Sequence, residues 1–238
     1  MEFINDDFRN VLPLQNIQTV IVDPPYNINF NYNSVYKDNL KPEEYKNLIA
    51  DVMNFTYEST NDDSSLFIIN YPEIIFNLYE PINNSKWNIH QWISWVYNSN
   101  GGFSKSKFTT AHRTILWLTK DNPKIYIDRV VQPYKNPNDK RIQNQIKKGK
   151  LGANLYNWWD INLVKFNAKE KLGFGVSKNQ IPQELLKRLI LTTTDENDKV
   201  LDVMCGSGST IKAAKELNRY GIGIDVNKNL QEVWNTIW

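Results

Sequence analysis

The chain has 238 residues, 41% of them hydrophobic and 23% charged, and this composition predicts a globular domain with a sizeable core. The formal net charge of +2 is too small to indicate a polyanionic or polycationic partner by itself. One cysteine, two histidines and no leader or membrane-length apolar run exclude a disulfide scaffold, argue against a metal site and predict a cytoplasmic protein without membrane contact.

The first regular elements are a helix predicted over 6–14 and a strand predicted over 19–22. The strand is rich in Val and Ile, as expected of a parallel strand that is covered on both faces. It runs directly into Asp23-Pro24-Pro25-Tyr26, where two residues without an N–H must end the strand. Because ligands of open α/β sheets bind beyond the carboxyl ends of strands, we expect these four residues in the active cleft.

These residue types suit a planar substrate that carries an amine. The Asp23 carboxylate and the Pro24 carbonyl can both accept hydrogen bonds from one –NH2 group. The Tyr26 ring can stack on a heterocycle, an interaction worth about 1–3 kcal/mol for a nucleobase. Adenine and cytosine fit this description, and the alternative is an ordinary turn that ends a strand. We therefore take Asp23, Pro24, Pro25 and Tyr26 as the candidate catalytic residues.

The middle of the chain alternates between apolar and polar stretches. Residues 27–39 are polar and aromatic without a period, which predicts a mobile loop over the cleft. The loop at 98–108 is either solvated or holds a nucleic-acid backbone through Lys105 and Lys107. The regular elements between and after these loops are predicted as helices over 42–58 and 72–84 and strands over 65–70, 89–97 and 114–119.

Residues 120–171 are strongly basic, with twelve Lys and Arg residues against five Asp and Glu residues. Aromatic residues are interleaved with these charges and regular periodicity is weak, a pattern that favours a surface that follows phosphates over a merely solvated face. The candidate DNA-binding residues from this segment and the preceding strand and loop are Lys105, Lys107, Arg113, Lys140, Arg141, Lys147 and Lys148.

The last third predicts a helix over 182–194, a strand over 199–203, a glycine loop, a helix over 211–217 and a strand over 220–225. Gly206 and Gly208 allow the backbone to approach a ligand closely, and Asp225 is placed to accept from ribose hydroxyls. The pattern lacks the glycine spacing of NAD sites and the lysine of phosphate loops. Asp202 at the strand end repels a pyrophosphate and suits a cationic ligand with an amino group, such as S-adenosylmethionine.

With both motifs known, the chain resembles DNA amino-methyltransferases that act on N6 of adenine or N4 of cytosine, in the subgroup whose catalytic motif precedes the cofactor motif. Asp23-Pro24-Pro25-Tyr26 matches the D-P-P-Y of this family, and residues 202–210 resemble its D-P-F-x-G-S-G-T-T. Residues 172–182 resemble its H-P-T-Q-K-P segment, and 110–120 resemble the strand before its target-recognition region.

The resemblance implies an α/β, Rossmann-like, S-adenosylmethionine-dependent methyltransferase fold with a mostly parallel sheet and helices on both faces. It implies a single domain over 1–238 with a small basic target-recognition excursion at about 120–171. The implied cofactor is S-adenosylmethionine and the implied substrate is double-stranded DNA; a cognate restriction endonuclease and a second copy of the chain are candidate partners. The implied cofactor-binding residues are Asp202, Met204, Cys205, Gly206, Gly208, Ser209, Asp225, Asn179 and Gln180.

The resemblance also implies the reaction, a direct transfer of methyl to an amine of a base that has left the helix. In this family an Asp at the position of Asp23 usually accompanies adenine and a Ser accompanies cytosine, so adenine is expected. Two alternatives stay open: an N4-cytosine enzyme, and a non-catalytic DNA-binding subunit that retains the fold.

Overall fold

The computed structural model describes residues 1–32, 36–98, 105–165, 167–172 and 179–237. Its strands are β1 (Glu2–Ile4), β2 (Ile17–Val22), β3 (Thr60–Asn70), β4 (Asn88–Val96), β5 (His112–Thr119), β6 (Val131–Gln132), β7 (Ala153–Asn154), β8 (Trp158–Asp160), β9 (Lys199–Asp202) and β10 (Tyr220–Ile224). Its helices are α1 (Pro42–Ser59), α2 (Pro72–Asn77), α3 (Tyr79–Asn83), α4 (Lys140–Lys147), α5 (Gln183–Thr193), α6 (Ser209–Glu216) and α7 (Leu230–Ile237).

Eight strands form one sheet in the order β1-β10-β9-β2-β3-β5-β4-β8. Neighbouring strands are parallel except that β5 runs antiparallel to both β3 and β4. The sheet is therefore mostly parallel, as predicted, and β2 and β9 lie side by side although they come from opposite ends of the chain.

Strand β2 lies inside the sheet, between β9 and β3, and is buried on both faces. Val20 and Val22 pack in a core with Ile49 and Val52 of α1, whereas Ile21 packs in a second core with Leu186 of α5. This alternation between two cores explains why β2 reads as a continuous apolar run rather than an alternating one.

Two predicted helices differ from the structure. Residues 6–14 form only a short 3-10 helix at Phe8–Asn10, capped by Asp7, and extended chain follows. Pro13 accounts for this, since the residue before a proline avoids the helical region. The helix predicted over 72–84 is interrupted at Leu78 and becomes α2 and α3. Pro81 lacks an N–H and its ring would clash with the carbonyl four residues earlier, which ends α2.

The basic segment leaves the sheet after β5 and returns to its edge as β8. Between them lie a short 3-10 helix, the antiparallel β6–β7 pair and α4. The start of the excursion is fixed on the end of α5, where the Tyr126 hydroxyl donates to Asp195 at 2.6 Å and Arg129 pairs with Asp195 at 2.7 Å. In the described part of the chain, no helix is both long and apolar enough to span a membrane.

Candidate active site

Three acidic residues mark the carboxyl ends of three adjacent parallel strands. Asp23 follows β2, Asp202 ends β9 and Asp225 follows β10. They face a single cleft of about 210 Å³. The structure therefore brings together both predicted motifs, and the predicted residues that line the cleft are Asp23, Pro24, Pro25, Tyr26, Asn179, Gln180, Asp202, Met204, Cys205, Gly206, Ser209 and Asp225.

The loop after β2 is held in a defined conformation. The Tyr26 hydroxyl donates to the Asp23 carboxylate. The Tyr45 hydroxyl donates to the Pro25 carbonyl at 2.7 Å and itself accepts from the Asn70 amide at 2.9 Å. In the part of the chain that the structure describes, no donor reaches the Pro24 carbonyl, which stays available to a ligand.

Burial raises the pKa of Asp23 to about 6, and the Arg113 charge and the Tyr26 hydrogen bond act against this rise. At neutral pH the carboxylate is mainly ionised and able to accept hydrogen bonds. A pKa this close to neutrality also allows the same group to take up and release a proton.

The two acids on the cofactor side are buried and hydrogen-bonded. Asp202 accepts from the Thr210 hydroxyl at 2.7 Å and from the Met204 N–H at 3.1 Å, and burial raises its pKa to about 7. Asp225 accepts from the Gly206 and Asn227 N–H groups, both at 2.9 Å, and burial raises its pKa as well.

The two glycines of the loop have different environments. Both have positive φ, 49° at Gly206 and 79° at Gly208. A methyl group added at Gly206 would meet no atom within 4 Å, so this backbone is open to a ligand. The same group at Gly208 would lie 3.1 Å from the Trp234 ring, and Gly208 does not line the cleft. Cofactor binding by Gly208 stays a prediction, and in the structure this residue makes the turn into α6 and packs against Trp234.

Gln180 lines the cleft, but its amide is already engaged. Its nitrogen donates to the Glu170 carbonyl and its oxygen accepts from the Leu172 N–H, both at 2.8 Å. The Gln180 side chain therefore links the residues before and after segment 173–178, which itself lies outside the described residues. Asn179 lines the cleft next to it.

Sequence reasoning missed the residues that organise the chain after Tyr26. The Asp38 carboxylate accepts from the N–H groups of Asn27 at 2.7 Å, Ile28 at 3.1 Å and Phe30 at 2.7 Å. The Tyr36 hydroxyl donates to Asp225 across the cleft. The signal available in the sequence was an acid that follows a run of Asn and aromatic residues. Residues 33–35 of the predicted mobile loop lie outside the described residues.

The predicted DNA-binding residues lie on three different elements of the structure. Lys105 and Lys107 are exposed beyond residues 99–104, which the structure does not describe. Lys140, Arg141 and Lys147 lie on α4 and Lys148 follows it, all four exposed. Arg113 is the exception, because it is 5% exposed and lies among aromatic rings behind Tyr26. A phosphate contact by Arg113 is incompatible with this burial.

The chain matches the N6/N4 DNA methylase family over residues 17–236. It belongs to this family. Among curated relatives, the type II methyltransferase M.HpaI of Haemophilus parainfluenzae is 30% identical over 91% of this chain. M.BglII of Bacillus subtilis is 29% identical over 96% of it. In both cases the match spans 66% of the relative's own length, slightly less than two thirds.

Solved structures of methylases show the same fold. The M1.HpyAVI complex with S-adenosylmethionine superimposes with a TM-score of 0.65 at 19% identity, covering 100% of this chain and 99% of that one. PvuII DNA methyltransferase, named as cytosine-N4-specific, gives a TM-score of 0.71 at 16% identity, covering 100% and 93%. These likenesses confirm the predicted Rossmann-like methyltransferase fold.

Proposed function

We propose that this methylase transfers a methyl group from S-adenosylmethionine to the N6 amine of adenine in double-stranded DNA. One observation carries the proposal: the Asp23–Tyr26 loop lines the same cleft as Gly206 and Asp225. A methyl group can pass directly between two ligands only if they share a space of this kind.

The glycine side of the cleft fits the cofactor. Gly206 leaves room for a ligand against its backbone, and the Asp225 carboxylate suits ribose hydroxyls. Asp202 adds an acidic group to this side of the cleft, which suits a ligand that carries positive charge. When bound, S-adenosylmethionine supplies an electrophilic methyl group on a positively charged sulfur.

The proline side of the cleft fits a flipped base. The Tyr26 ring stacks on the base, and one Asp23 oxygen and the Pro24 carbonyl accept the two N–H groups of the amine. These contacts orient the nitrogen lone pair toward the methyl group. The new N–C bond forms as the S–C bond breaks, and Asp23 takes the proton that the nitrogen must lose and passes it to solvent.

The choice of adenine rests on the acid at position 23, which in this family usually accompanies adenine. An N4-cytosine activity is the second candidate, because the same two acceptors suit the cytosine amine and the PvuII enzyme shares the fold. We further propose that residues 1–238 form one domain and that its excursion at about 120–171 contacts DNA phosphates. A cognate restriction endonuclease is also proposed, because two relatives are named type II methyltransferases.

The test is to incubate the protein with methyl-labelled cofactor and duplex DNA, digest the DNA and identify the labelled nucleoside. We expect the label in N6-methyl-2′-deoxyadenosine. Label found only in N4-methylcytosine would overturn the base assignment. If calorimetry shows that the protein binds the cofactor but no DNA is labelled, the alternative of a non-catalytic DNA-binding subunit is correct instead. A parallel reaction without DNA detects any label that the protein itself takes up.

A further inference from the structure

Arg113 is a buried cation directly behind the candidate catalytic tyrosine. Its guanidinium carbon lies 4.9 Å from the centre of the Tyr26 ring and 5.0 Å from that of Trp95. The rings of Tyr71 and Tyr97 follow at 5.6 and 5.9 Å. Its Nε is buried and has no hydrogen-bond partner among the residues that the structure describes. A buried charge of this kind is costly unless it is compensated, so its compensation needs an explanation.

A continuous path leads from this cation to the carboxylate of the cleft. Arg113 faces the Tyr26 ring, and the Tyr26 hydroxyl donates to Asp23. Tyr26 lines the cleft but Arg113 does not, so the ring separates the cation from the space for the base. A cation against a phenol ring is attracted to it and makes its hydroxyl a better donor.

We propose that Arg113 is a positioning residue for methyl transfer: it holds the Tyr26 ring in the orientation that stacks on the base, and its charge keeps Asp23 ionised. This proposal rests on the proposed function for its catalytic part. The electrostatic part concerns the protein alone and can be measured without substrate.

The other groups that face Asp23 do not supply this charge. Tyr26, Tyr32 and Tyr45 are neutral neighbours, and Asp202 is an acid whose own pKa is raised by burial and, to a lesser extent, by Asp23. Burial raises the pKa of Asp23, and the Arg113 charge is the larger of the two effects that oppose it. Removal of that charge should therefore raise the pKa of Asp23 further.

The first experiment is a carboxyl-carbon NMR titration of Asp23 in the cofactor-free protein. In Arg113→Met the pKa of Asp23 should rise by about 1–3, the range expected for loss of a nearby opposite charge. In Arg113→Lys, which retains the charge, it should stay close to the wild-type value. Arg219→Met is the control, because Arg219 is also buried but precedes β10, at the other end of that strand from the cleft. An unchanged Asp23 titration in Arg113→Met would overturn the proposal.

The second experiment measures methyl transfer against pH in the same variants. Arg113→Met should move the acidic limb of the rate profile upward by the same amount as the NMR midpoint, whereas Arg113→Lys should not. A lower rate with an unmoved limb means a structural role only and contradicts the proposal. If the wild type transfers no methyl at any pH, the proposed function fails, while the NMR titration still decides whether Arg113 controls Asp23.

A third measurement covers the case in which Arg113→Met does not fold. In wild-type protein labelled with 15N-arginine, the Arg113 Nε resonance should shift with the midpoint of the Asp23 carboxyl titration. A resonance that stays flat through that titration would show that the two groups are not coupled.

Discussion

At the scale of a residue, the position of Asp23 could be predicted from the sequence, whereas its pKa and its hydrogen bond could not. The strand, the two prolines and the tyrosine predicted an acceptor at the mouth of a cleft, and the structure places Asp23 there. Its raised pKa and its bond from Tyr26 could not be predicted, because they depend on burial and on a cation in β5. The local sequence contains neither.

Replacement of Asp23 by Ala should remove most of the methyl transfer. The variant loses an acceptor for the amine and the group that takes its proton, and a positioned acid–base group contributes about 100- to 10,000-fold. Rates with labelled cofactor should fall by that order, while DNA and cofactor affinities stay near wild type. Asp128→Ala, at an exposed acid in the excursion, should leave the rate unchanged. Retained transfer in Asp23→Ala would contradict the assigned role.

The two glycines of the loop should respond differently to Ala. Both substitutions force a left-handed residue, which costs about 1–2 kcal/mol, but only Gly208→Ala also crowds the Trp234 ring. We expect the larger fall in Tm for Gly208→Ala and the larger loss of cofactor affinity for Gly206→Ala, whose methyl group enters the cleft. Calorimetry and thermal unfolding of both variants check this, and the reverse order would refute it.

At the scale of elements, the long periodic segments were predictable and the short ones were not. The predicted helix at 42–58 is α1 and the predicted strand at 19–22 is β2. Strand β1 has three residues and pairs with β10 at the far end of the chain, and β8 has three residues at the sheet edge. Their stability comes from partners distant in sequence, so no local pattern could reveal them.

The charge of the basic segment is divided between two uses. Lys120 donates to the Thr60 carbonyl at 2.8 Å and Arg129 pairs with Asp195 at 2.7 Å, so these cations fasten the excursion to the core. Lys147 and Lys148 remain exposed at the end of α4. A count of charges in the sequence could not separate anchoring cations from those available to DNA.

The double substitution Lys147→Ala with Lys148→Ala should weaken DNA binding. Each lost phosphate contact lowers the slope of log K against log salt by about 0.9, so the slope should fall by up to about 1.8. Fluorescence anisotropy at several salt concentrations measures this. The matched control is Lys46→Ala with Lys86→Ala, because both lysines already pair with glutamates. Equal binding by the test variant and the wild type would show that this end of α4 is only solvated.

At the scale of the molecule, the shared cleft was predictable from the rule for parallel strands. Two motifs at the carboxyl ends of neighbouring strands must face the same edge of a sheet. That β2 and β9 are neighbours was not predictable without the family resemblance, because only the strand order of the sheet places them side by side. The Tyr36 bond to Asp225 depends on that assembled edge and was missed for the same reason.

Buried acids should make the stability of this protein depend on pH in an unusual direction. The pKa of Asp202 is raised from 3.8 to about 7 by burial, so the folded state binds a proton that the unfolded state releases. This contribution is fully present below about pH 4 and is lost as pH rises through 7.

Asp202→Asn removes this titration and should gain stability relative to wild type as pH rises from 5 to 7. The gain is at most about 1.4 kcal/mol for each pH unit. Urea unfolding without ligand at pH 5, 6, 7 and 8 measures the difference. Asp121→Asn, the same substitution at an exposed acid, is the control. A constant difference for Asp202→Asn would contradict the raised pKa.

The acidic edge formed by Asp23, Asp202 and Asp225 also bears on turnover. Where these carboxylates are ionised, their negative charge favours a cationic ligand over the same ligand after it has lost its positive charge. These three acids would therefore bind the methyl donor more tightly than its demethylated product, without any movement of the backbone. In the proposed reaction, the product should therefore leave the cleft more readily than the unreacted donor.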